Sequence, residues 1–441
     1  MKTDIVIVGS GCAGLYCALQ LPRNKQITII TKSDVESSDS YLAQGGMCVQ
    51  RDDTDYESFM EDTLKAGHYE NDRDSVDIMI RSSRDVLHDL LSYKVDFHRD
   101  ENGELLYTRE GAHSNKRILF HADITGKEIT SKLLAAVREL SNVTIYEHTS
   151  MIDLLVKNHQ CYGVVVKTKD ESTELVLAEK IVLATGGIGG LYAHSTNFRH
   201  LTGDALAVAI KYGIELKDID YIQIHPTTFY TKDKTERSFL ISESVRGEGA
   251  KLRDKNGERF VNELLPRDLL TKAILEQMEK DGTEHVWEDL RDIPETELYR
   301  HFPNIVKHCL EHGYDVRKEC IPVVPAQHYF MGGIKVNHVS QTSMKCLYAI
   351  GETACNGVHG RNRLASNSLL ESLVFAKRAA KDIALSYESE RFVDKRSDLT
   401  EEMYWQNYLQ DKRAYYADEQ ALEQEYKELV LQEIKKAKES R

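Results

Sequence analysis

The sequence has little that would place the protein at a membrane or on nucleic acid. No apolar run approaches the roughly 18 residues that a transmembrane helix needs. Acidic residues outnumber basic ones, 71 to 57, and the net charge of −14 disfavours an anionic partner surface. The chain enters the strand-like run DIVIV at Asp4, which leaves no room for a signal peptide and predicts a cytoplasmic protein.

The sequence also lacks the cysteine spacing of a metal or redox site. None of its eight cysteines forms a C-x-x-C pair. In a chain of 441 residues they are best interpreted as reduced packing residues, so we expect no metal and no iron–sulfur cluster. The length allows two or three domains with cores of their own.

The N-terminal stretch DIVIVGSGCAGLYCALQL reads as a strand, a glycine turn and a helix. Its G-x-G-x-x-G spacing, between a strand and a helix, is typical of a site where backbone meets a pyrophosphate. The predicted dinucleotide-binding residues are Gly9, Ser10, Gly11, Cys12, Ala13 and Gly14. The second strand ends in Thr31 and Lys32 instead of the acidic residue of a standard NAD site, and Lys32 either lies near a phosphate or adenine or is solvated.

A second glycine stop ends the buried strand KIVL, at Ala184, Thr185 and Gly186. The helix LTGDALAVAIKYG follows, with Asp204 in its first turn. Two glycine-containing turns, each at the end of a strand of one doubly wound sheet, are consistent with the binding of a long cofactor.

Hydrophobic periodicity predicts an α/β fold with an interrupted first domain. Helices are expected over 54–94, in PRDLLTKAILEQM and in the charged C-terminus, and a hairpin is expected at the Asn-Gly of LRDKNGERFV. We predict a Rossmann-like domain over 1–225 and 331–388, an α+β capping domain over 226–330, and a short helical tail over 389–441.

The stretch GRNRLASNSLLES predicts a site for negative charge. Ser368 and Glu371 have the spacing of a capping box, so a helix is expected to begin at Ser368. Arg361 and Arg363 precede it, and a helix N-terminus carries a partial positive charge. Something negative, or becoming negative, should therefore lie there.

Several separated stretches together resemble the succinate dehydrogenase/fumarate reductase flavoprotein family. They include VGSGCAGL, YLAQGG, ATGGIGGLY, QIHPTTFY, SESVRGEGAKLRD, AQHYFMGGI and GRNRLASNSLLES, in family order from Gly9 to about Ser372. The HPT, RGEGA, HYFMGG and RLASNSLLE segments are the most specific of them.

The resemblance implies an FAD-binding enzyme. Asp39 stands where succinate-oxidising relatives carry the histidine that attaches the flavin, so the FAD should be non-covalent. Besides the glycine turn, the implied cofactor residues are Lys32, Asp39, Ser40, Ala43, Gln44, Gly45, Gly46, Ala184, Thr185, Gly186, Asp204, Glu352, Ser368 and Leu369.

The resemblance also implies a dicarboxylate site between the two domains. Arg267 matches the proton-transfer residue, with Glu243 and Arg246 behind it as a relay, and Arg361 has no match and is interpreted as surface charge. The implied substrate-binding residues are Glu110, Gln223, His225, Ser242, His328, Arg363 and Ser366.

The match is closest to family members that oxidise L-aspartate to iminoaspartate, with O₂ or fumarate as electron acceptor. In them a glutamate matching Glu110 lies over the substrate amino group. The implied role is the first step of de novo NAD biosynthesis, with quinolinate synthase as a possible partner. Two alternatives stay open: a soluble fumarate reductase, and a catalytically dead flavin-binding interaction protein.

Overall fold

The computed structural model describes residues 1–232, 237–389 and 399–441. Its strands are β1 Ile5–Val8, β2 Ile27–Ile30, β3 Met47–Cys48, β4 Tyr107–Thr108, β5 Ile118–Leu119, β6 Val143–Tyr146, β7 Ser150–Lys157, β8 Gln160–Lys167, β9 Thr173–Leu177, β10 Lys180–Leu183, β11 Leu216–Lys217, β12 Ile222–Phe229, β13 Lys251–Arg253, β14 Val286–Asp289, β15 Ile321–Phe330, β16 Gly333–Lys335, β17 Leu347–Ala349 and β18 Ala354–Cys355.

The helices of the same residues alternate with these strands in the first half of the chain. They are α1 Cys12–Gln20, α2 Asp39–Leu42, α3 Tyr56–Ala66, α4 Arg73–Ser92, α5 Thr125–Arg138, α6 Asp204–Lys211, α7 Glu243–Gly247, α8 Arg267–Asp281, α9 Glu295–His301, α10 Pro303–Glu311, α11 Asn367–Ser389, α12 Leu399–Ala417 and α13 Glu419–Glu439.

A five-stranded parallel sheet, in the order β17-β10-β1-β2-β6, forms the centre of the first domain. Its middle strands β1, β2 and β10 are buried along most of their length, as expected for a parallel sheet covered on both faces. Helices α1, α4, α5 and α11 pack on one face. The other face packs on the antiparallel sheet β7-β8-β9 and helix α6. This arrangement confirms the predicted α/β class.

A four-stranded antiparallel sheet, β12-β15-β14-β13, packs with helices α8, α9 and α10 around a separate apolar cluster. β12 and β15 are the strands by which the chain leaves and re-enters the first domain. The predicted Asn-Gly turn is present, with Asp254 N–H donating to the Glu258 carbonyl at 2.9 Å. The chain after it forms only an isolated bridge, Arg253 with Arg259.

The C-terminal tail forms two helices that join the core of the first domain. Trp405 and Tyr416 of α12 are fully buried against it. On α13 the buried residues recur every fourth position, at Leu422, Tyr426, Val430 and Ile434, and the other faces are solvated as predicted.

The long helix near the C-terminus differs from its prediction in one detail. α11 begins at Asn367, one residue early, and the capping box is wrong. Glu371 accepts a hydrogen bond from the Asn356 side-chain amide instead of turning back on the first turn. Buried in the core, this carboxyl finds a partner in the preceding loop.

Three further expectations concern the state of the cysteines, a metal site and a membrane-spanning helix. The eight cysteines are all free, and six of them are buried. Among the described residues we find no cluster of side chains that could hold a metal. Nor does any helix in these ranges have the length and apolar character needed to span a membrane.

Candidate active site

A cleft runs from the carboxyl ends of β1, β2 and β10 to the antiparallel sheet. Parallel sheets bind ligands at these strand ends because the loops there diverge around a crevice. The lining of the cleft extends from Val8 and Lys32 at the strand ends to His225 and Arg267 beside the antiparallel sheet. A long cofactor at the strand ends and a substrate at the inner end would therefore share one cleft.

The tight turn after β1 brings two strand ends together at the bottom of this cleft. Gly9 has a φ of +115°, and a Cβ there would lie 2.1 Å from the Ala184 carbonyl oxygen. Only glycine tolerates both conditions. Gly14 packs against the same turn, since its Cβ would lie 2.2 Å from the Gly9 carbonyl oxygen.

Lys32 lies at the outer end of the cleft and is not simply solvated. Its ammonium group is 2.9 Å from Asp204 Oδ2 on α6 and 3.3 Å from Glu423 Oε1 on α13. Burial works against the charge, but the two carboxylates raise the pKa of Lys32 above its usual value. The side chain thus stays cationic beside the site where β2 ends.

The middle of the cleft contains buried hydrogen-bond acceptors. Asp39 Oδ1 accepts the Phe198 N–H at 3.0 Å, but Asp39 Oδ2 and Gln44 Oε1 are buried with no hydrogen-bond partner among the described residues. Burial raises the pKa of Asp39 to about 7. Unsatisfied buried acceptors are costly, so a donor-rich group such as a ribityl chain fits this position.

Glu352 and the start of α11 border the same region. Glu352 Oε1 accepts the Phe330 N–H at 2.9 Å, and burial followed by the nearby Asp39 carboxyl raises the pKa of Glu352 well above its usual range. Ser368 and Leu369, in the first turn of α11, also line the cleft. Their helix N-terminus offers backbone N–H groups and partial positive charge to an electron-accepting ring. These residues fit FAD.

A cluster of buried charge closes the inner end of the cleft. Arg267 Nε donates to Glu243 Oε2 at 2.7 Å, and Arg267 Nη1 donates to Gln223 Oε1 at 2.9 Å. Arg363 Nε donates to the same Gln223 oxygen at 3.2 Å. Gln223 does not line the cleft itself, and its side-chain oxygen holds the two guanidinium groups side by side. Burial and then the neighbouring Arg267 lower the pKa of Arg363 to about 10.

The antiparallel strands supply two histidines to this cluster. The rings of His225 on β12 and His328 on β15 are 5.1 Å apart. His328 Nδ1 lies 2.7 Å from Thr196 Oγ1, and His225 Nε2 is buried without a hydrogen-bond partner in the described chain. Burial and then Arg267 lower the pKa of both histidines well below the usual value, so both are neutral at pH 7.

Glu110 faces this cationic cluster from the loop between β4 and β5. It accepts hydrogen bonds from Ser244 Oγ at 2.7 Å and from Ser366 Oγ. Burial and then the Glu243 carboxylate raise the pKa of Glu110. Its contacts rule out an ion pair with Arg109 or Lys116 on a solvated loop.

The structure places nearly every predicted site residue on the cleft wall. Cys12, Gly14, Gln223 and Arg246 are the exceptions, and they lie behind it. Arg361 is exposed and pairs with Glu70, as interpreted from sequence. The sequence prediction missed three residues of the site: Thr196, Ser244 and Tyr329. The Arg363 guanidinium lies 4.5 Å from the centre of the Tyr329 ring. Only Ser244 and Tyr329 fall inside motifs that could have signalled them.

Comparisons with known proteins agree with this geometry. Residues 4–369 match the FAD binding domain family. The chain is 52% identical over 380 residues to the L-aspartate oxidase of Clostridium perfringens, covering 86% of each chain. It is 45% identical over 400 residues to that of Clostridium acetobutylicum, covering 91% of this chain and 92% of the relative.

Solved structures show the same architecture. The E. coli quinol fumarate reductase FrdA, in a mutant form, superposes with a TM-score of 0.84 at 28% identity, over 93% of this chain and 74% of that one. A quinol–fumarate reductase with menaquinol molecules gives 0.85 at 29% identity, over 94% and 75%. The chain therefore belongs to the succinate dehydrogenase/fumarate reductase family of FAD-binding flavoproteins, within which it groups with the L-aspartate oxidases.

Proposed function

We propose that this protein oxidises L-aspartate to iminoaspartate with FAD as its cofactor. The observation that carries the proposal is the buried Glu110 carboxylate, which faces the same cavity as Arg267 and Arg363. A site with two guanidinium groups suits a dicarboxylate, and the added anion suits a dicarboxylate that also bears an ammonium group.

Each side chain then has a distinct task. Arg363 grips one substrate carboxylate with its planar fork, and its contact with Gln223 fixes the plane of that fork. Neutral His225 and His328 give polar contacts without adding charge. Glu110 pairs with the substrate ammonium group. When bound, FAD accepts the two electrons and one hydrogen that the substrate gives up.

Arg267 receives the second hydrogen as a proton. A free arginine holds its proton too tightly to act as a base. The 2.7 Å bond to Glu243 lets Arg267 pass one proton to Glu243 while it takes another from the substrate. The exchange is concerted, so no neutral arginine has to form.

In this proposal O₂ or fumarate reoxidises the cofactor, and the product serves a quinolinate synthase in the first step of de novo NAD biosynthesis. The supporting observations are the name and identity of the relatives. We also propose that the reaction takes place in the cytoplasm, as predicted from the sequence.

An anaerobic titration tests the proposal. The purified holoenzyme should show a flavin spectrum that bleaches on addition of aspartate and recovers on addition of fumarate. Succinate should bleach it far less. Bleaching by succinate and not by aspartate would identify a fumarate reductase instead, and no bleaching by either would indicate a binding protein without activity.

A further inference from the structure

A buried carboxyl group lies behind the proton-transfer residues and has no partner. Glu288 is on β14 and is 0% exposed, and neither of its carboxyl oxygens has a hydrogen-bond partner in the described ranges. A charged carboxylate cannot remain unpaired in an apolar core without a large cost. Either it carries a proton, or it ionises only when a nearby cation compensates it.

Arg246 is the cation that acts on the charge of Glu288, and Glu263 lies between them. Glu263 Oε1 accepts the N–H of Leu252, which pairs with Glu288 across the sheet. Arg246 contacts the Glu263 carbonyl and is similarly under-satisfied. Its Nη1 donates to the Glu263 carbonyl at 3.1 Å, and its Nη2 lies 3.9 Å from Glu243 Oε2. Arg246 Nε and Nη2 are buried without hydrogen-bond partners in the part of the chain that is described. The two side chains do not bond to each other directly, so a water between them would satisfy both groups.

We propose that Glu288 is the inner proton store of this relay and acts through Arg246. The inference rests on the proposed function, because the proton is the second hydrogen that aspartate loses. The first hydrogen leaves with two electrons to the flavin, which is the oxidant. Arg267 takes the proton from the substrate and gives another to Glu243 in one concerted step. Arg246 in the same way takes a proton from Glu243 as it gives another to Glu288. Every group but Glu288 ends as it began.

The groups that face Glu288 leave it poised to change its protonation state. Burial raises the pKa of Glu288 to about 8, against the pull of Arg246 and with the help of the Glu263 carboxylate. The third neighbour is Cys309 on α10. Burial, and then the charge of Glu288, raise the pKa of Cys309 to about 12, so the thiol stays neutral. Glu263 pairs at 2.6 Å with Arg259, whose side chain is half-exposed.

The proposed role of Glu288 predicts opposite pH dependences for the rates of the two directions of the reaction. Oxidation needs Glu288 ionised, so the rate of anaerobic flavin reduction by aspartate should rise as pH increases through its pKa. Fumarate reduction with reduced viologen as electron donor needs Glu288 protonated, so that rate should fall over the same range.

The test compares Glu288→Gln with wild type. In the variant we expect aspartate oxidation to fall about tenfold at pH 8 and by less than twofold at pH 6. Fumarate reduction should fall about tenfold at pH 6 and approach wild type at pH 9. Glu258→Gln, which changes an exposed carboxylate on the hairpin of the same domain, should leave both profiles unchanged.

Two further measurements keep the inference falsifiable. The infrared difference between wild type and Glu288→Gln should show a protonated-carboxyl band at pH 6 that is lost by pH 9. Glu288→Leu, which replaces the unpaired acid with an apolar side chain, should fold and bind FAD and show the same two losses. Unchanged pH profiles in both variants would overturn the proposal. Failure of aspartate to bleach wild-type flavin would instead overturn the proposed function, and the fumarate profile and the infrared band would still test Glu288.

Discussion

At the scale of single residues, Glu110 determines the charge balance of the site. Its side chain is 4% exposed, and both of its oxygens accept hydrogen bonds from serine hydroxyls. Each carboxylate oxygen has a second lone pair, so a substrate ammonium group can still donate to it. Aspartate differs from succinate by that ammonium group, and a charge-assisted hydrogen bond to it contributes about 1.5–3 kcal/mol.

Glu110→Gln should therefore lower kcat/KM for aspartate at least tenfold, since it keeps the shape and removes the charge. Fumarate reduction with a chemical electron donor should persist, because fumarate has no ammonium group. Because the pKa of Glu110 is raised, aspartate oxidation in wild type should also decline as pH falls through that pKa. Glu104→Gln, which changes an exposed carboxylate just before β4, is the matched control. Equal losses in both reactions would make Glu110 structural.

Arg267 is the second residue whose replacement separates binding from chemistry. Its guanidinium contacts Glu243 and Gln223 at once, which a lysine ammonium group cannot reproduce from one position. Arg267→Lys should bind FAD but reduce flavin with aspartate about a thousandfold more slowly, or about 4 kcal/mol in the barrier. Stopped-flow reduction at saturating aspartate measures this step. A rate near that of wild type would remove Arg267 from the mechanism.

At the scale of elements, one buried carboxylate joins the C-terminal helix α12 to the first domain. Asp153 on β7 is 0% exposed and accepts from Lys211 Nζ at 2.6 Å and from Tyr416 OH at 2.7 Å. Through these contacts α12 joins the antiparallel sheet and α6. Glu423 of α13 in turn reaches Lys32 at the cleft, so the tail supports the cofactor end of the site.

Tyr416→Phe should lower the free energy of unfolding by about 1.5–3 kcal/mol, because it removes a buried hydrogen bond to a charged acceptor. Tyr415→Phe, next to it, removes an exposed bond of 3.1 Å to Glu425 and should cost less than about 0.5 kcal/mol. Urea denaturation of the two holoenzyme variants compares them. Equal effects would show that α12 is not held through Asp153.

At the scale of the whole molecule, residues from both sheets line the cleft, and one of them stands where succinate-oxidising relatives carry the histidine that attaches the flavin. Asp39 occupies that position, and a carboxylate offers no stable bond to the flavin methyl group. Acid precipitation of the holoenzyme should therefore leave a colourless pellet and a yellow supernatant. A yellow pellet would show covalent attachment.

The elements could largely be predicted from the sequence, because their signals are local. A strand, a glycine turn and a helix follow one another within about twenty residues at Gly9, and the periodicity over 54–94 needs no distant partner. The motifs also identified many of the residues that line the cleft. Where a local pattern competed with the core, it failed: Glu371 was predicted to cap α11, and in the folded chain it bonds to Asn356 instead.

The tertiary structure alone decided which groups meet and which remain unpaired. Gln223 joins Arg267 to Arg363, which lie 44 and 140 residues away from it, and no spacing in the sequence encodes that contact. Thr196 supports His328 from a loop that belongs to no motif. Glu288 shows its character only through burial, since an acid in a strand reads as solvated until the neighbouring elements exclude water from it. The sequence specifies which side chains can carry charge or form hydrogen bonds. The free-energy cost of burying these side chains, and their pKa values, depend on desolvation, which exists only in the folded chain.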